Sequence, residues 1–147
     1  MKSAGTGRGD HRLRIALAQI NPTVGDLPGN SAEVLRAVSA AADGGAHLVV
    51  FPEMFLTGYP IEDLALRSSF RHASKVAITV LARAIAEQGQ GDLVAIVGYL
   101  DQAANGGPQN VAAVIHGGQV KARYIKTHLP NFGVFDEYRN FVPGDQT

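Results

Sequence analysis

The chain has 147 residues, of which 46% are hydrophobic and 18% charged; these proportions fit one globular domain with a real core and exclude wholesale disorder. Thirteen basic residues balance thirteen acidic ones, so there is no electrostatic footprint for nucleic acid or an anionic membrane. No cysteine is present, which excludes disulfides, thiolate metal sites and a thiol nucleophile among these residues.

Residues 1–12 are Gly-rich, polar and basic, and read as a mobile tail. Its G-x-G spacing (GTGRG) follows no strand and makes a poor phosphate loop, and RGD at Arg8–Asp10 is a chance three-letter match. The N-terminus lacks the apolar stretch of a signal peptide. No apolar run approaches the roughly 18 residues needed to span a bilayer. No membrane partner and a cytoplasmic location are the expectation.

After the tail, helices alternate with apolar strands. LRIALAQI (Leu13–Ile20) reads as a buried strand, and NPTVGDLPGN as a turn-rich loop. A helix is expected over Ser31–Asp43, with Asn30 as N-cap and Glu33 completing a capping box. Its apolar face is Val34, Leu35, Val38, Ala41 and Ala42, and Gly44–Gly45 stop it. HLVVF (His47–Phe51) is a short apolar strand ended by Pro52. The spacing predicts a second helix from about Phe70 to Glu87, with Val76, Ala77, Val80, Leu81, Ala84 and Ile85 on one side. DLVAIVGYL is a third strand, and QNVAAVIHGGQVKARYIK reads as two more joined at Gly117–Gly118. The order β-α-β-α-β-β-β implies an α/β fold, a mixed sheet with both helices packed on the same face.

The five histidines (His11, His47, His72, His116, His128) have no partners at ligand spacing, so no metal site is expected. No G-x-S-x-G elbow is present. Glu53 is different: it follows VVFP at the carboxyl end of a strand, where open α/β sheets place reactive groups. A carboxylate in such an apolar setting is costly unless paired or used. Position alone leaves it open between a structural ion pair and a catalytic base. Lys126, at the end of VKARYI, is open between a solvated charge and a site residue. One arrangement explains both, with the two strand ends bringing Glu53 and Lys126 together.

The runs VVFPEMFLTGYPIEDL and KTHLPNFGVFDEYRNFVPG, with the opening RIALAQINPTVGDLPGN, resemble the nitrilase/amidase (carbon-nitrogen hydrolase) superfamily, and within it the glutaminase domain of glutamine-dependent NAD synthetases. The resemblance implies a nitrilase-type α-β-β-α sandwich, of which this chain would hold the N-terminal portion. It also implies a Glu–Lys–Cys triad in which the cysteine attacks the glutamine side-chain amide. Glu53 would be the general base and Lys126 the oxyanion stabiliser. Glu137 matches an additional glutamate that positions the triad, while Tyr59 and Phe132 match residues that shape the glutamine pocket; Phe132 is often tyrosine there. The cysteine and the ATP- and Mg2+-using synthetase domain that takes deamido-NAD are expected beyond residue 147, so the chain alone is expected to be inactive. A homo-oligomer is the expectation for the parent. The alternatives are another nitrilase-type amidase or carbamoylase, and a non-catalytic binding or assembly module.

Overall fold

The computed structural model describes residues 12–133 and 135–145, so the expected tail, His11 included, falls almost wholly outside the described residues. The elements are β1 (Ile15–Leu17), α1 (Leu27–Asp43), β2 (Leu48–Val50), a 3-10 turn (Glu62–Leu66), α2 (Ser68–Glu87), β3 (Val94–Gln102), β4 (Pro108–His116), β5 (Gln119–Ile125) and the single turn α3 (Glu137–Asn140). They form one five-stranded sheet in the order β1-β2-β3-β4-β5. β1, β2 and β3 are parallel neighbours, whereas β3-β4 and β4-β5 are antiparallel.

This order accounts for the position of the helices. Two successive β-α-β crossovers move along the sheet in one direction, and crossovers of one hand then deposit both helices on the same face. Alternate strand residues Val49, Ala95, Val97, Tyr99, Val111, Ala113 and Ile115 point to that face and share a core with Val34, Val38, Ala41, Ile78, Leu81 and Ile85. The β4–β5 hairpin turns at Gly117 (φ 59°) and Gly118 (φ 74°), both left-handed as a two-residue loop of this kind requires.

The structure corrects three expectations. α1 begins four residues early: Pro28 sits in its first turn and Asp26 caps it, the carboxylate accepting from the Gly29 N–H at 2.9 Å. Asn30 is therefore inside the helix and buried; its side chain accepts from Thr23 N–H (2.9 Å) and donates to the carbonyls of Thr23 (2.8 Å) and Leu56 (3.1 Å). Glu33 pairs with Arg36 instead of closing a capping box. In α2, Val76 and Val80 are about half exposed, and the sheet side is taken by Ser74, Ile78, Leu81, Ala82 and Ile85. More than half of that helix is apolar or small, so several faces satisfied the spacing. Finally, β1 is an edge strand of three residues. Ile15 and Leu17 are exposed because their alternation turns them to the face without helices.

That second face carries Ile15, Leu48 and Val94 in one cross-strand row and Leu17, Val50 and Ile96 in the next, with Ala112, Val114 and Tyr124 beyond. A smaller core of Met54, Ile61, Ala65, Leu100, Leu129 and Phe141 gathers on this side at the carboxyl end of β3. The candidate site lies beside it. Among the described residues, no helix is long and apolar enough to cross a membrane.

Candidate active site

The chain leaves β2 at Val50, and Phe51 still donates to the carbonyl of Ile96 (3.0 Å) as an extension of the sheet. It then turns sharply, with Met54 in the left-handed region (φ 53°) and Leu56 donating to the Gly98 carbonyl (2.9 Å). This reversal folds residues 52–54 over Gly98 and lifts Glu53 above the sheet's second face. Gly98 has no side chain there because no space exists for one: a Cβ would meet the backbone of Pro52, Glu53 and Met54.

Lys126 follows the last residue of β5 and is anchored through its backbone, its N–H donating to the Asn110 carbonyl (2.9 Å) and its carbonyl accepting from Gly144 (3.0 Å). Its ammonium donates to Glu53 Oε1 at 2.7 Å, across 73 positions of sequence. Glu137, at the start of α3, brings Oε2 to 2.9 Å from the same nitrogen. Glu137 is buried, whereas the Glu53 side chain is 48% exposed. Lys126 thus bridges one open and one buried carboxylate.

Around this group, the Tyr59 hydroxyl donates to Glu137 Oε1 at 2.9 Å. Asn110, buried on β4, donates its amide to Glu53 Oε1 at 2.5 Å. Tyr59 and Glu137 also line a cavity of about 400 Å³ with Ile61, Asp63, Asp136 and Arg139. Phe132 is not brought into the group: it is 70% exposed and packs edge-on against Phe135, ring centroids 6.1 Å apart.

The electrostatics follow from this packing. Partial burial pulls the Lys126 ammonium down, but its contacts with Glu53 and Glu137 outweigh that and hold its pKa above the usual lysine value. The Tyr59 hydroxyl is pushed up to about 12 by burial, then by its hydrogen bond to Glu137 and by the charges of Glu137 and Glu53. Lys126 is therefore a fixed cation and Tyr59 a fixed neutral donor near neutral pH. Among the described residues, no cluster of three or more His, Cys, Asp or Glu side chains could hold a metal.

The structure brings together Glu53 and Lys126, singled out by their places at strand ends, with Glu137 and Tyr59, which the family resemblance pointed to; Asn110 and Gly98 were missed. The signal for Asn110 was an amide inside the otherwise apolar run QNVAAVI, and for Gly98 a glycine in the middle of VAIVGYL.

The chain is similar to "Glutamine-dependent NAD(+) synthetase" of Thermotoga maritima, 42% identical over 135 residues that cover 92% of this chain and 23% of the relative. The protein of that name from Rhodobacter capsulatus is also 42% identical, over 90% of this chain and 23% of its own length. The chain therefore spans about a quarter of the curated relatives it matches. Among solved structures, the glutamine-dependent NAD+ synthetase of Acinetobacter baumannii in complex with ADP superposes with a TM-score of 0.78 at 35% identity, over 91% of this chain and 24% of that one. A mutant amidase from Nesterenkonia sp. AN1, with an acetamide moiety added covalently at its active-site cysteine, gives 0.75 at 25% identity, over 98% of this chain and 52% of its own. The sheet with two helices on one face is the nitrilase-type fold shared with these structures. The carbon-nitrogen hydrolase family model matches residues 14–147; with the Glu53–Lys126 pairing and this fold in place, the chain belongs to the carbon-nitrogen hydrolase family.

Proposed function

We propose that this chain is the glutamine-hydrolysing part of a glutamine-dependent NAD synthetase, with Glu53, Lys126 and Glu137 as catalytic residues. The observation that carries the reading is the lysine ammonium held between two carboxylates. An ammonium has three N–H donors. Glu53 accepts from one and Glu137 lies at ion-pair distance, which leaves a donor for the oxygen of a substrate amide.

The chemistry divides accordingly. A cysteine thiol, absent from these 147 residues, attacks the amide carbon while Glu53 takes its proton. Lys126 stabilises the oxyanion of the tetrahedral intermediate. The C–N bond then breaks, and Glu53 returns the proton to the departing ammonia, leaving a thioester. Glu53 next removes a proton from water, whose attack on the thioester releases glutamate and the thiol. Glu137 keeps Lys126 charged and in place, and Tyr59 holds Glu137. Tyr59, together with Phe132, is proposed to border the glutamine side chain. In the whole protein the ammonia would pass to deamido-NAD, activated by ATP with Mg2+ in a separate unit; a cytoplasmic location is part of the same reading.

The test is Lys126→Ala in the full-length protein. Loss of one oxyanion donor costs about 10²–10³-fold, so glutamine-driven NAD synthesis falls by at least that factor while synthesis from free ammonia continues. Equal loss of both activities would assign the lysine a structural role. Hydrolysis of simple amides without any NAD synthesis would favour the amidase alternative.

A further inference from the structure

We propose that Asn110 is a positioning residue for the reaction, orienting Glu53 and Lys126 together from a single place on β4; this rests on the glutaminase reading above. Its side-chain amide donates to Glu53 Oε1 at 2.5 Å, and its own backbone carbonyl accepts from the Lys126 N–H at 2.9 Å. One buried residue thus fixes the carboxylate by its side chain and the lysine by its main chain. Asn110 pairs with Leu100 on β3, which packs in the small core beside the site. Its own position is set by the sheet and not by a loop.

Two features argue that the amide matters beyond packing. First, Asn110 and Lys126 converge on the same oxygen of Glu53. Among the described residues none donates to Oε2, which is left as the oxygen free to take a proton. Secondly, the Glu53–Lys126 attraction depends on the charge of Glu53 and weakens whenever Glu53 carries the proton it has just removed. The ammonium is then also drawn toward the oxyanion. A neutral amide donor also bonds a carboxylate more strongly than a carboxyl group, but its hydrogen bond persists when the charge is gone, so Asn110 holds the group in both protonation states. That is the condition for one group to act first as base, then as acid, then as base again. A side-chain carboxylate at 110 would repel Glu53, and an aliphatic one would leave Oε1 with the lysine alone.

The experiment uses Asn110→Leu and Asn110→Asp in the full-length protein. With Asn110→Leu, kcat for glutamine-driven synthesis falls about 10- to 100-fold, the loss of one hydrogen bond to a charged group. KM for glutamine stays within about twofold, because the residue touches the base and not the substrate. Synthesis from free ammonia, which does not use this site, reports an intact fold. With Asn110→Asp the acid limb of the glutamine-driven pH profile moves to higher pH, since two adjacent carboxylates hold a proton more tightly than one. In a crystal structure of Asn110→Leu the Glu53 carboxylate leaves its contact with Lys126. Unchanged kcat and pH profile, or a proportional loss of both activities, would overturn the proposal. So would a Glu53 carboxylate that keeps its place in the Asn110→Leu structure. That structural outcome decides the question even if the wild-type protein shows no glutamine-driven synthesis, a result that would count against the glutaminase reading itself.

Discussion

Gly98 runs directly beneath Met54. A Cβ at position 98 would collide with the Met54 backbone nitrogen and lie 2.9 Å from the Pro52 carbonyl oxygen, so the strand and the turn carrying Glu53 touch backbone to backbone. Gly98→Ala forces the turn upward and moves Glu53 from Lys126. Overpacking of this kind costs about 1–3 kcal/mol. The expected result is a lower denaturation midpoint, together with a larger loss of glutamine-driven activity than of ammonia-driven activity in the full-length protein. Wild-type stability and activity in that variant would show that the turn yields freely.

Tyr59 predicts a pH dependence. Burial and the Glu137 hydrogen bond push its hydroxyl up to about 12 in the folded chain from an ordinary value of 10.0. A raised folded-state pKa stabilises the fold fully below pH 10, and this contribution disappears as pH rises from about 10 to about 12. Lys126 acts in the same direction, its folded-state pKa standing above the ordinary 10.5. Denaturant midpoints measured across pH 9–12 should therefore fall more steeply for the wild type than for Tyr59→Phe, which keeps the contributions of Lys126 and of Tyr99, whose phenol is also raised by burial and by Asp101. Parallel curves would mean that the Tyr59–Glu137 hydrogen bond is not made in solution.

Asp101 makes the opposite prediction. This buried carboxylate accepts from Tyr99 Oη (2.5 Å) and the Gln102 N–H (2.7 Å), and lies 3.2 Å from Lys75 Nζ and 3.6 Å from an Arg123 guanidinium nitrogen. It cross-links α2, β3 and β5. Burial alone would raise its pKa, but these partners hold it below the ordinary 3.8. Its stabilisation is present above pH 3.8 and is lost as pH falls through the lower folded value. Asp101→Asn should cost about 1.5–3 kcal/mol at neutral pH, the range for hydrogen bonds to a charged group, and the deficit should shrink below pH 3.8. Calorimetry across pH 2–7 measures it, and a deficit independent of pH would remove the charge from the explanation.

The sequence made the sheet side of the fold legible because strand periodicity, the Gly117–Gly118 turn and the helix-stopping glycines are local signals. It made Glu53 legible because it ends an apolar strand, where an unpaired charge is anomalous; Lys126 ends a partly charged, mostly exposed strand and stood out only through its pairing with Glu53 and the family resemblance. The helix start was misread because Asp26 and Asn30 are both good caps, and only the tertiary use of Asn30, tying Thr23 to Leu56, decides between them. The buried side of α2 was rotated because Val76 and Val80 satisfy helical spacing as well as Ile78 and Ala82 do. Asn110 and Gly98 act on residues far away in sequence, so their roles emerge only once β4 and β3 are laid beside the turn after β2.

The two cores on opposite sides of the sheet differ in size, and this has a consequence for local order. The helix-side core joins eighteen buried residues from both helices, three strands and connecting segments, including Phe51, Phe55 and Leu56 on either side of Glu53, whereas Tyr59 and Glu137 are carried by segments that rest on Met54, Ile61, Ala65, Leu100, Leu129 and Phe141. Opening the smaller set exposes far less apolar surface, so it requires less free energy than melting the sheet. The segments carrying Tyr59 and Glu137 are therefore expected to open before the sheet does, while the turn carrying Glu53 stays with the larger core. In hydrogen exchange these two segments should lose protection ahead of the central strands β2, β3 and β4.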